Sequence, residues 1–252
     1  LSNFRLFEQN PDRIGFLTVN DLVPEGQNTL VSTQFTTAWD HRDRTFNAHR
    51  GFLISGTGEW ARTLRGETKQ VDTVNGADSV TFKSNLLRFT VNFAFYIPLG
   101  DKVTFASQTR YGRIVHLERG SEAYPNRRFY LGGTNFRGWY QNQMVPQDLQ
   151  DRAGHSATPV GIISRGGDVF IASQNELRFP LFGDLFGAVF CDVGNLWAQA
   201  KNFDIRQVEP VVGLGLRFNT PVASLAFDYG VRKLETTPFG VVGAFQFAFQ
   251  TF

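Results

Sequence analysis

The chain has 252 residues, a net charge of +2 from 25 basic and 23 acidic side chains, and 26 Phe and 25 Gly against one Met and one Cys. A near-neutral balance implies no polyelectrolyte partner, and basic residues do not interleave with aromatics as a nucleic-acid groove requires, so nucleic acid drops out. Cys191 alone excludes an intrachain disulfide, and His41, His49, His116 and His155 stand in separate segments without ligand spacing, so neither a metal nor a cofactor is expected.

No run approaches the ~18 apolar residues of a membrane helix. That scale overlooks membrane barrels, whose strands alternate lipid-facing and lumen-facing residues and average to neutral. Leu1 is not a start residue and no signal peptide is visible, which leads us to expect a mature or truncated chain.

Period-2 alternation recurs along the sequence, and helical periodicity is nearly absent. In chain order, strands are expected near 31–41, 51–64, 82–98, 102–116, 167–180, 185–198, 208–219, 222–234 and 242–251, with a weaker one at 12–23. The clearest is NLLRFTVNFAFYIP, where Leu87, Phe89, Val91, Phe93, Phe95 and Ile97 share one face and Arg88, Thr90, Asn92, Ala94 and Tyr96 the other. Leu214, Leu216 and Phe218 oppose Gly215, Arg217 and Asn219, and Leu225, Phe227, Tyr229 and Val231 oppose Ala226, Asp228, Gly230 and Arg232. Near the end Phe245, Phe247 and Phe249 oppose Gln246, Ala248 and Gln250.

A soluble ligand-binding β-sandwich also alternates, so pattern alone does not choose between the two. Length and composition do. The segments exceed the ~5–6 residues of globular strands and suit the ~9–11 of membrane strands. Trp39, Trp60, Trp197 and Tyr229 fall near segment ends, where aromatic girdles sit. Connections are tight at 98–102 and 218–224 but long at 65–80 and 117–166. The expected fold is all-β: a transmembrane antiparallel β-barrel in one domain over 1–252, with 117–166 a long extracellular loop.

Within that loop, RRFYLGGTNFRGWYQNQMVPQD at 127–148 carries Phe129, Tyr130, Phe136, Trp139 and Tyr140, which need a surface to pack on. A loop folded into the lumen supplies one, and Arg137 would then need a carboxylate partner. Enzyme chemistry finds no support. No Ser/His/Asp order lies in a strand–turn–helix context, and His116 with Ser121 are the nearest candidates for a barrel-rim hydrolase.

FYLGGTNFRGW at 129–139 resembles the loop motif of the outer-membrane assembly barrels of the BamA and TamA type, the bacterial surface antigen family. It matches at Phe129, Tyr130, Gly132, Gly133, Arg137 and Gly138, with Trp139 where Phe or Tyr is commoner and a spacer one residue shorter. NELRFPL at 175–181 and VFCDVGNLW at 189–197 resemble the two strands that follow the loop in the family. DHRDRTFNAHRGF at 40–52 is similar to a family turn, with Ala48 in place of Pro.

The resemblance implies that the Arg-Gly tip folds into the lumen and that Arg137 meets an acid from each following strand, Glu176 or Asp192. Alternation places Glu176 with Gln174 and Arg178 opposite Leu177 and Phe179, and Asp192 opposite Val189, Cys191 and Val193. The family barrel has sixteen strands, so this chain would cover roughly the last ten, as a fragment or as a smaller closed barrel. The last strand would form the seam, with Phe245, Phe247, Phe249 and the terminal Phe252 as its assembly signal, although Phe252 is out of parity with the other three.

The implied function is non-enzymatic: insertion or export of unfolded outer-membrane or secreted client polypeptides through a lateral seam. Outer-membrane lipid, accessory lipoproteins and periplasmic domains would be its partners and the Gram-negative outer membrane its location. A dedicated secretion channel for one partner protein and a passive pore are the alternatives.

Overall fold

The computed structural model describes residues 16–17, 29–65, 68–73, 76–81, 83–149, 163–164, 166–219, 224–233 and 240–249. Thirteen strands are present among them. Nine form one sheet: β2 (Thr29–Asp40), β3 (Gly51–Arg65), β6 (Asn85–Pro98), β7 (Thr104–His116), β9 (Val169–Phe182), β10 (Leu185–Trp197), β11 (Glu209–Asn219), β12 (Ser224–Lys233) and β13 (Val241–Phe249). Their order is β13-β12-β11-β10-β9-β7-β6-β3-β2, an antiparallel meander in which chain neighbours are sheet neighbours. Short pairs flank it: β1 (Phe16–Leu17) with β8 (Ile163–Ser164), and β4 (Thr68–Thr73) with β5 (Gly76–Thr81). The long connection read at 65–80 is therefore itself a hairpin.

The nine strands run from 9 to 15 residues, long enough to cross a bilayer when tilted. No helix among the described residues is long and apolar enough to cross a membrane, and a barrel crosses with strands. Among the described residues β2 and β13 each have one hydrogen-bonded neighbour, so the wall is open at both edges. The weak strand read at 12–23 lies outside the described residues except for Phe16 and Leu17, and Phe252 lies outside them altogether.

Alternation sorts the side chains onto two faces. The outer face displays Phe89, Val91, Phe93, Val189, Val212, Leu214, Leu216 and Phe227, all exposed, as a lipid-facing surface must. The inner face carries the polar and small residues, and there the loop residues Phe129, Leu131, Phe136, Trp139 and Met144 pack against Leu86, Ile114, Ala172, Phe190 and Val211 in one buried cluster. The core of this protein thus lies inside the wall and is built around the loop.

Two aromatics depart from the girdle expectation. Trp197 is fully buried, because the connection after β10 folds back over it: Phe203 meets its ring edge-on at 4.7 Å and Gln207 accepts its indole N–H at 3.4 Å. Tyr229 is exposed but lies mid-strand, paired with Leu214 and Phe245. Trp39 and Trp60, by contrast, are exposed on the outer face.

Candidate functional site

The loop leaves β7 at His116 and returns at Val169, and its base is tied down by polar contacts. Ser121 Oγ donates to the Asn85 carbonyl at 3.0 Å and accepts the Asn85 N–H at 2.9 Å, and His116 Nε2 meets Asp168 Oδ2 at 2.8 Å. His116 Nδ1 also stands 3.4 Å from Ser121 Oγ, but that hydroxyl spends its proton on a backbone carbonyl, which is a fastening rather than a nucleophile. Further in, Phe129 and Gly167 exchange two backbone hydrogen bonds of 2.9 Å. Arg127 pairs with Glu59 on the inner face of β3, and Arg88 stacks over the Phe129 ring at 4.5 Å.

The motif itself is a compact turn. Gly133 N–H donates to the Trp139 carbonyl at 2.7 Å, and Asn135 reaches back to accept from Gly132 N at 2.8 Å and to donate to the Tyr130 carbonyl at 3.0 Å. Gly132 has φ +124°, and a Cβ there would stand 2.2 Å from the Tyr140 carbonyl, so no other residue closes this turn. The turn drives Arg137, Gly138 and Trp139 against the inner faces of five consecutive strands. Gly138, at φ +81°, lies against Val211 of β11 and Gly230 of β12. Its carbonyl accepts from Arg232 Nε at 3.2 Å, Arg232 stacks on the Trp139 ring at 3.5 Å, and Gln246 of β13 donates to the Trp139 carbonyl at 3.2 Å.

Arg137 is 2% exposed. Its Nε and one terminal nitrogen donate to the two oxygens of Asp192 at 2.8 and 2.6 Å, its other terminal nitrogen to Glu176 Oε2 at 2.6 Å, and its backbone N–H to Asp192 at 3.2 Å. The planar fork pairs bidentately with Asp192 while its remaining nitrogen reaches Glu176, a geometry that an ammonium does not reproduce. Phe190 supplies a ring face 3.6 Å from the guanidinium carbon.

Three further charges join these three. Arg217 of β11 donates to both Glu176 oxygens at 3.0 and 2.5 Å and contacts Asp228 of β12 at 2.8 Å. Arg178 of β9 donates to Glu176 Oε1 at 2.8 Å, and Asp228 stands 3.7 Å from Arg137. The cluster therefore holds Arg137, Arg178 and Arg217 against Glu176, Asp192 and Asp228, formally neutral. Alternation puts all five wall residues on the inner face, but which of them meet is set by register. Glu176 lies opposite Phe190, Phe190 opposite Gly213, and Gly213 opposite Gly230, and the two glycines leave room for the Phe190 ring and for Gly138 of the tip.

A family model described as the Omp85 superfamily domain matches residues 6–251. The chain belongs to the Omp85 superfamily. Among solved structures it is similar to BamA from Haemophilus ducreyi lacking POTRA domains 1–3, with a TM-score of 0.60 at 20% identity, over 88% of this chain and 42% of that one. This Omp85 chain thus spans less than half the length of that structure. No curated protein matches it. As an Omp85 barrel it is an integral protein of the Gram-negative outer membrane, and its outward Phe245, Phe247 and Phe249, all exposed on edge strand β13, face lipid.

Proposed function

We propose that this Omp85 barrel assembles or translocates polypeptides at the outer membrane without enzymatic chemistry, inserting or exporting β-rich clients through a seam at its last strand. The observation that carries the reading is the burial of the loop tip: Arg137, Gly138 and Trp139 together seat it against β9 to β13. In this role the pinned loop holds the shape of the wall while β13, hydrogen-bonded on one side only among the described residues, accepts a client strand by backbone pairing. Unfolded outer-membrane or secreted polypeptides are the clients. Outer-membrane lipid is the medium, and accessory lipoproteins or periplasmic domains are the helpers. A passive pore fits less well, because the loop occupies the space such a pore needs.

The test is Arg137→Ala in the full-length protein. Removing one partner of a buried charge cluster costs about 3–5 kcal/mol, so the variant is expected to lose heat-modifiable electrophoretic mobility at lower temperature and to insert clients more slowly. Arg137→Lys should fall between the two, since it keeps the charge and loses the fork. Native mobility together with native client insertion in Arg137→Ala would contradict the proposed role.

A further inference from the structure

A second segment folds inward from the opposite end of the sheet. Residues 41–50 join β2 to β3 at the same end as the tight connections 99–103 and 183–184, away from the loop. The turn is closed by Asp43, which accepts the backbone N–H groups of His49 and Arg50 at 2.9 and 3.2 Å, and by Asp43 N–H to the Arg50 carbonyl at 3.1 Å. Ala48 is buried among Ala94, Tyr96, Ala106 and Leu53, and His49 bonds Thr104 of β7. Asn47 adopts φ +47°, a conformation that Asn tolerates better than most residues, and its side-chain oxygen accepts from Arg178 at 3.0 Å.

Arg178 is 2% exposed, and the same guanidinium whose one nitrogen holds Asn47 donates its Nε to Glu176 Oε1 at 2.8 Å. Glu176 in turn holds Arg137. A guanidinium is rigid and planar, so its two bonds fix each other's direction. The chain Asn47–Arg178–Glu176–Arg137 thus joins, inside the wall, the turn from one end of the sheet to the tip of the loop that enters from the other.

We infer that the 41–50 turn is a second interior latch, coupled to the loop tip through Arg178, which acts as a positioning residue for Glu176. The inference rests on the pinned-loop reading proposed above. Releasing Asn47 lets the Arg178 head group turn away from Glu176, which loosens the carboxylate that Arg137 grips. An event at the turn end, such as the arrival of an unfolded polypeptide, is thereby transmitted to the loop without touching it.

The experiment uses the full-length protein in membranes, with Cys191→Ser to remove the exposed native thiol and Val211→Cys as the reporter. Val211 is wholly buried and covered by Gly138, so its labelling by a water-soluble maleimide measures how often the tip lifts. Asn47→Gly keeps the backbone conformation and deletes the amide. It is expected to raise the labelling rate about threefold or more, as the loss of a hydrogen bond to a charged group implies. Asn47→Asp, which restores an acceptor for Arg178, is expected to bring the rate back towards the native value.

Arg137→Ala serves as the control that lifts the tip directly. If Arg137→Ala raises labelling and Asn47→Gly does not, the coupling is overturned while the pinned loop stands. A rescue variant that stays at the Asn47→Gly rate also overturns it. If Arg137→Ala itself leaves labelling at the native rate, the pinned-loop reading fails and takes the coupling with it. Should Asn47→Gly not accumulate in the membrane, Arg178→Lys replaces it, because a single ammonium cannot hold Asn47 and Glu176 in the fork's geometry, and the same rise is expected.

Discussion

Arg137 is tolerated in a nearly dry interior because each face of its guanidinium meets a partner: Asp192 bidentately, Glu176 from the adjacent strand, and the Phe190 ring. Desolvating such a cation alone would be prohibitive, whereas a formally neutral cluster of paired charges can persist. The next residue is as tightly specified for a steric reason. A Cβ on Gly138 would stand 2.5 Å from Val211 Cγ1, at a φ of +81° that side chains avoid. Gly138→Ala is expected to cost about 1–3 kcal/mol in denaturant unfolding of the full-length protein. Gly138→Ala with Val211→Ala should recover the steric part and keep the backbone part; a neutral single variant would mean the tip does not seat as described. At this scale the motif residues were legible through their resemblance to the family loop motif, which also pointed to Glu176 and Asp192, in agreement with strand parity. Arg178, Arg217 and Asp228 were less so. Each shows the right parity, but alternation assigns a face and not a neighbour.

Elements show the same division. Strand alternation is a local property, so the nine long strands and their two faces could be read from the sequence. Register, the hairpin inside the 65–80 connection, and the burial of Trp197 under the segment that follows it depend on contacts distant in the chain, and no periodicity encodes them. The 41–50 turn is an element whose stability should depend on pH. Burial pulls the Asp43 carboxyl upward, but the N–H groups of His49 and Arg50 and the nearby Arg44 outweigh it and hold it below the usual carboxylate range. A carboxylate with a depressed folded-state value stabilises above its unfolded value, and that contribution is lost as pH falls through the folded one. Hydrogen-exchange protection of the His49 and Arg50 amides should therefore decline only below about pH 4. Asp43→Asn should show weaker protection without that acid-dependent step. Equal pH dependence in both would remove Asp43 from the account.

The sheet differs from one in a soluble domain: its outer face displays apolar side chains such as Phe89, Leu214 and Phe227, while the charge cluster lies inside, beside the buried core built around the loop. Leu214, mid-strand and 66% exposed, sits on the outer face three residues before the buried Arg217. Leu214→Arg is expected to cost about 2–4 kcal/mol in lipid. Tolerance there at no cost would mean that this face meets water or protein instead.

In the proposed role, Arg137 keeps the loop seated in the interior. Single-channel conductance of the reconstituted full-length protein tests it most directly, comparing the native chain with Arg137→Ala at equal amounts of folded barrel. A small native conductance is expected, rising severalfold when Arg137 is removed. Equal conductance in the two proteins, or a native conductance already that of an open pore, would contradict it.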